Sequence, residues 1–206
     1  VPKIELPPTK SSLRKLKEDL SFAYEGYDLL NQKREILAME IVRRIGVLKT
    51  VEADFQRALH DLYSAYRVAA VDIGAETITL QSAIEPRSYY LHLDVVKFMG
   101  LKLLHLRIAM KHPRAPATLA QTSARYDEAR NISRQTLSLL VQYATMTKSI
   151  ILLSRELKKV QRRVNALDKI FIPQHEEAQK YISDRLDEME REEVFVKKLI
   201  HDRKTR

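Results

Sequence analysis

From Leu13 onward, apolar residues recur at steps of three and four without slipping: Leu16, Leu20, Ala23, Tyr27, Leu30, Leu37, Ile41, Leu48, Val51, Phe55, Ala58, Leu62 and Ala65. Arg34 and Arg44 occupy two further positions of the same series, so fourteen of its sixteen members are apolar. An average spacing of 3.5 keeps one seam turned towards a partner helix in a left-handed supercoil. Proline is absent from residues 9 to 85, so nothing interrupts a helix there. Thr9, Ser11 and Ser12 follow Pro7-Pro8 and offer side-chain oxygens to the first backbone amides. The pattern predicts a helix over residues 9–72, whose stretch from Leu13 to Ala65 alone is about 80 Å long at 1.5 Å per residue.

The second half carries a matching pattern. Leu137, Leu140, Ala144 and the run Ile150 to Leu153 lead into Leu157, Val160, Val164, Leu167 and Phe171, followed further on by Ile182, Leu186, Met189, Val196 and Ile200. The rhythm shifts around Pro173, which predicts a kink or stutter within one long helix over residues 118–206. Each long seam needs a partner and one chain supplies both. The expected fold is therefore all-α dominated: a long antiparallel two-helix coiled coil with a small central β-hairpin region at residues 73–117.

That centre has a different grain. Leu91-His92-Leu93-Asp94-Val95 and Leu104-His105-Leu106-Arg107-Ile108 alternate apolar and polar residues, the period of a half-buried strand, with Met99-Gly100 between them. A β-hairpin is the favoured reading over a short amphipathic helix. The doubled pairs Val95-Val96 and Leu103-Leu104 suggest a bulge, and His112 to Pro116 reads as a loop.

Composition narrows the chemistry. Only 4 glycines occur, where average usage of ~7% would give about fourteen, so barrels and Gly-rich phosphate cradles are disfavoured. Gly26, inside the first helix, suggests close approach of the partner helix. With no cysteine, disulfides, thiolate metal sites and cysteine nucleophiles are excluded. No uninterrupted apolar run approaches the ~18 residues of a membrane span, and the first residues lack a signal-peptide layout, which favours a soluble intracellular chain.

The net charge is +9, and residues 118–173 alone contribute +6. Within them Arg155, Lys158, Lys159, Arg162 and Arg163 lie mostly off the seam. A solvated helix face, a collar facing an acidic partner and a nucleic-acid footprint all fit. No aromatic residues interleave with these cations, which disfavours nucleic acid. Asp184, Asp187, Glu188, Glu190, Glu192 and Glu193 sit on one helix, where carboxylates cannot converge across a substrate, and they read as partners for Arg185 and Arg191. His92 and His105 could face each other across the hairpin but lack a carboxylate or thiolate to complete a metal site. His60, His112, His175 and His201 are scattered. No catalytic residue, cofactor or metal is expected. Arg34, Arg44 and Asn165 are candidates for fixing coiled-coil register, as buried polar residues do elsewhere.

Two clusters resemble a known family. Pro8-Thr9-Lys10-Ser11-Ser12-Leu13, Gly26-Tyr27-Asp28-Leu29-Leu30 and Lys33-Arg34-Glu35 are similar to the start of the D-subunit family of V-type and A-type rotary ATPases. Arg162-Arg163-Val164-Asn165-Ala166-Leu167, Ile172-Pro173, Leu186-Asp187-Glu188, Glu190-Arg191-Glu192, Phe195 and Lys197-Lys198 are similar to its C-terminal signature. The stretch Val96 to Lys102 echoes its hairpin region more weakly. The resemblance implies a non-catalytic central-stalk rotor, cytoplasmic and peripheral to the membrane. Its paired terminal helices would enter a hexamer of catalytic A and non-catalytic B subunits. The F subunit would bind its side, and a socket subunit, either C or d, on the membrane rotor ring would receive its foot. ATP hydrolysis or synthesis would thereby couple to H⁺ or Na⁺ translocation, with membrane association only indirect and no nucleic-acid partner. Under that reading the five cations form a collar facing acidic stator loops, and Arg34 either sets register near Asn165 or projects to such a loop. The alternative class is a basic coiled-coil adaptor binding nucleic acid or an anionic membrane surface.

Overall fold

The computed structural model describes residues 6–84, 89–110 and 123–204. Its elements are α1 (Lys10–Ile73), α2 (Ala75–Ile84), β1 (Tyr89–Phe98), β2 (Leu101–Met110), α3 (Ala124–Ala166), a π-helical turn (Leu167–Phe171) and α4 (Ile172–Lys204). The loop expected from His112 to Pro116 lies outside the described residues. Two compact units divide the chain: residues 1–36 with 157–206, and residues 37–156.

In the first unit, Thr9 starts α1 by accepting the Ser12 backbone N–H at 3.1 Å, satisfying one of the amides that a helix N-terminus leaves without a partner. Leu16 and Ala23 are buried and Leu13, Leu20, Tyr27 and Leu30 half-buried, and on the returning chain Val160, Val164, Ile172 and Ile182 are buried as well. Two polar contacts fix the direction of pairing. Lys10 Nζ reaches Glu190 at 2.6 Å, and the Tyr24 hydroxyl donates to Glu176 at 2.5 Å. Advancing along α1 retreats along α4, so the helices are antiparallel.

The expected stutter takes the form of the π-turn. The Ile172 N–H reaches back five residues to the Leu167 carbonyl. Pro173 has no N–H, and its ring would crowd the carbonyl four residues earlier; one extra residue in the preceding turn relieves that clash. The seam accordingly steps by five, from Leu167 to Ile172, which is buried. Phe171, expected on the seam, is displaced outward and stacks on His175, with ring centroids 3.8 Å apart. A second correction concerns the end of α4. Met189, Val196 and Ile200 are about half exposed, because Glu190 already meets the first residue of α1 and the rest of α4 passes beyond its partner.

In the second unit, Thr136 Oγ1 lies 3.2 Å from the Ala58 carbonyl, Phe55 stacks on Tyr143, and Ala69 packs with Ala129. These pairs again run antiparallel. Gly74, at φ +83°, separates α1 from α2, and Ile78 on α2 joins Ala69 and Ala129 in a buried cluster. The α3 side of the seam differs from the apolar reading. Leu140 is exposed, whereas Val141, Thr145, Ser149 and Leu153 are buried. The hydroxyls are tolerated because a helix carbonyl one turn back accepts them, as Val141 does from Thr145 at 2.8 Å.

The strands pair antiparallel from Tyr89↔Met110 to Phe98↔Leu101 in unbroken register. Met99 and Gly100, at φ 49° and 82°, form the two-residue turn, whose twist suits a tight hairpin. The expected bulge is absent: Val95 lies opposite Leu104 and Val96 opposite Leu103, so the doubled pairs give the ribbon two apolar faces instead of a phase slip. His92 and His105 do not face each other either. Their partners are Arg107 and Asp94, and Asp94 pairs diagonally with Arg107 at 2.5 Å. The Leu106 N–H donates to Thr145 Oγ1 at 3.3 Å, docking β2 along α3.

Candidate functional site

The seam and collar cations singled out by the sequence fall into three environments. On α3, Arg155, Lys158, Lys159, Arg162 and Arg163 are all exposed. At 100° per residue they fan across the face opposite Leu153, Leu157, Val160 and Val164, so the same turns that bury the seam push these charges outward. None of the five has an ion-pair partner among the described residues. The band is a stretch of uncompensated positive charge held on a long helix.

Arg44 sits on the seam, 20% exposed, and there its charge is neutralised. Glu40, one turn earlier and 11% exposed, accepts from Arg44 Nε at 2.7 Å and from Arg43 Nε and Nη2, both at 2.8 Å. Its bonds to Arg43 and then Arg44 outweigh burial and pull the Glu40 carboxyl down to about 2. The sequence signal for Glu40 is an ordinary i, i+4 Glu–Arg pair, and only its burial makes it distinctive.

This cluster makes acid sensitivity predictable. A carboxyl held near 2 against a usual 4.5 contributes stability that is complete above about pH 4.5 and is lost as pH falls towards 2. Glu40→Gln should therefore cost about 1 kcal/mol at pH 7, allowing for solvent around Arg43, because Arg44 keeps its charge in the seam without a carboxylate. Denaturant melts at pH 7 and pH 2.5 check it. The gap between the two proteins should close at the lower pH, and a gap independent of pH would contradict the assignment.

Arg34 is the third environment: half-buried on the seam, with no bonding partner among the described residues. Asn165 is exposed and accepts from the Gln161 amide at 2.8 Å, which places it on the outer face of α3, off the seam. Gly26 requires a different explanation from close helix approach. A Cβ built there meets nothing within 4 Å. The acidic residues of α4 pair as Arg185–Glu188 at 2.5 Å and Lys197–Glu193 at 3.3 Å, while Glu190 crosses to Lys10, a contact the periodicity did not indicate.

Beyond Glu190 the exposed residues Val194, Phe195, Val196, Leu199 and Ile200 leave an apolar end on α4 without a helical partner among the described residues. So the described surface consists of bands of charge and apolar surface along stiff helices. Such surfaces are suited to binding other surfaces.

Known proteins agree with this picture. The sequence profile of the ATP synthase D subunit matches residues 12–202. The D subunit of the V-type ATP synthase of Thermotoga neapolitana is 30% identical over 203 residues, covering 98% of this chain and 100% of that protein. The second V-type ATP synthase D subunit of Treponema pallidum is 33% identical over 202 residues, covering 98% and 97%. The D subunit of the A-type ATP synthase of Pyrococcus horikoshii is 28% identical over 196 residues, covering 93% and 91%. A chain whose long antiparallel helices carry a small hairpin, and which matches that profile from the first turn of α1 to the last turns of α4, belongs to the ATP synthase D-subunit family of V-type and A-type ATPase central-stalk proteins.

Proposed function

We propose that this chain is a non-catalytic rotor shaft, turned by ATP hydrolysis in a hexamer of A and B subunits and coupled to H⁺ or Na⁺ movement through a membrane ring. The observation that carries the proposal is the division of labour around the helices. All sixteen positions of the α1 seam are buried or half-buried, while the five cations of α3 point outward without ion-pair partners among the described residues. A continuous seam resists torsion, and an outward charge band can face acidic loops without disturbing the pairing.

Within this proposal Arg155, Lys158, Lys159, Arg162 and Arg163 form the collar facing the stator, and Arg34 reaches a stator loop to find the acceptor it lacks among the described residues. Arg44, held by Glu40, serves helix register. The F subunit binds the side of the shaft and the socket subunit, either C or d, receives its foot, so the chain meets the membrane only through the complex. The apolar end of α4 enters the hexamer cavity, where a ring of apolar loops would cover it.

Co-purification with A and B subunits tests this reading. One copy of the chain should be retained per hexamer, and truncation after Glu190 should weaken retention by removing the apolar end. Failure of the full chain to associate with an assembled hexamer would refute it.

A further inference from the structure

The ribbon of β1 and β2 has one docked edge and one open edge. On β2 the Leu106 N–H turns away from β1 and donates to Thr145 Oγ1 at 3.3 Å, so the β2 edge lies along α3. Leu106 is paired with Leu93. Where one member of an antiparallel pair turns its amide outward the other does too, and the pattern repeats at every second residue. The backbone N–H and C=O groups of Leu91, Leu93 and Val95 therefore point away from β2, along the free side of a two-stranded sheet. No backbone group of the described residues bonds to them from that side. Their side chains share one face of the ribbon and are 58%, 58% and 51% exposed.

Proteins commonly blunt such an edge with proline, a bulge or lysines. β1 has no proline, its register is unbroken, and its one lysine, Lys97, sits beside the turn, past the apolar stretch. The strand is instead complementary to itself. Laid antiparallel on a second copy about Leu93, it sets Leu91 against Val95, His92 against Asp94, and Leu93 against its own copy on a two-fold axis. The outward groups of Leu91, Leu93 and Val95 then meet as hydrogen-bonded pairs. His92 and Asp94 fall in the closer, non-bonded positions, where an imidazole and a carboxylate are within reach of each other, and symmetry makes that contact twice. A slip of one residue would turn half of the outward groups onto groups that β1 and β2 already share. The two adjacent registers that keep the backbone bonds oppose His92 to its own copy or Asp94 to its own copy, which loses the attraction. Charge thus selects one register.

We infer that β1 is a self-association edge, through which two copies of the unassembled chain pair antiparallel over Leu91 to Val95 and form a four-stranded sheet. The contact is short, so the dimer is weak and reversible, with a Kd on the order of 10–100 μM. The inference does not depend on the proposed shaft function, in which one copy serves each hexamer.

Sedimentation equilibrium of the full chain from about 1 to 300 μM tests it, and the dimer fraction should rise across that range. Leu93→Lys, which opposes two lysines at the two-fold axis, should weaken the dimer at least tenfold while leaving helix content intact, because Leu93 is exposed. Should that variant disturb the hairpin, cross-linking replaces it, since the chain has no cysteine of its own. A short bismaleimide should join two copies of Leu93→Cys efficiently and two copies of Val71→Cys, 89% exposed on α1, only at the background rate. A chain that stays monomeric throughout, a dimer unaffected by Leu93→Lys in a folded variant, or equal cross-linking at the two positions would each overturn the inference. A monomeric chain whose β1 amides become protected from hydrogen exchange only in the assembled complex would also overturn it, and would give the edge to a strand of a partner chain.

Discussion

Leu37→Ala is expected to destabilise the protein by about 3 kcal/mol, lowering the melting temperature by about 6–12 °C. Leu37 is fully buried on α1, at a seam position flanked by Arg34 and Ile41, and truncation leaves a cavity that stiff helices cannot close. Phe22→Ala supplies the comparison. Phe22 lies on the same helix but is 77% exposed, so its loss should change stability by no more than about 0.5 kcal/mol. The two residues have similar apolar bulk, and only the seam distinguishes them. Equal shifts for the two variants in thermal melts would show that the seam does not hold the helices together.

Neutralising the collar should have the largest functional effect. With Arg155, Lys158, Lys159, Arg162 and Arg163 all changed to glutamine, helix content and melting temperature should stay close to those of the parent, because the five side chains are exposed and make no ion pair among the described residues. Association with an A and B hexamer should slow by 10- to 1000-fold at low salt, the range over which oriented charge steers encounter. The parent's association rate should fall steeply as salt rises, and the variant's should be nearly flat. Stopped-flow association across a salt series measures both slopes. Identical slopes would assign the band to solvation alone.

Much of the architecture is legible in the residue pattern, for a physical reason. A helix pair constrains every third or fourth side chain, so the sixteen-position series on α1 identifies its buried face without any tertiary information. The hairpin is legible because period-two alternation and Met99-Gly100 agree with each other. Other features depend on contacts that no local pattern contains. Thr136 and Thr145 look polar, yet they are buried because small hydroxyls can return their protons to a helix carbonyl or dock a neighbouring strand. The apolar count therefore chose Leu140 over Val141. Pro173 signals an interruption but not its form, and the π-turn whose one extra residue replaces Phe171 with Ile172 on the seam follows from relieving a steric clash. The exposure of α4 beyond Glu190 depends on where the partner helix begins, which is a property of two segments together.

The charged positions divide the same way. That Arg34 and Arg44 interrupt the seam is plain from spacing, but their different fates are not. Glu40 neutralises Arg44 within the chain, while Arg34 is left without an acceptor among the described residues. For Gly26 the sequence suggested crowding, and the space around its Cβ position is open.

The most direct test of a force-transmitting shaft is to watch it turn. An A and B hexamer is fixed to a surface, a bead is attached to the hairpin region of this chain, and ATP is added. A rotor shaft should give unidirectional rotation of the bead that stops when ATP is exhausted. A bead that stays still while the hexamer hydrolyses ATP with the chain bound would contradict it.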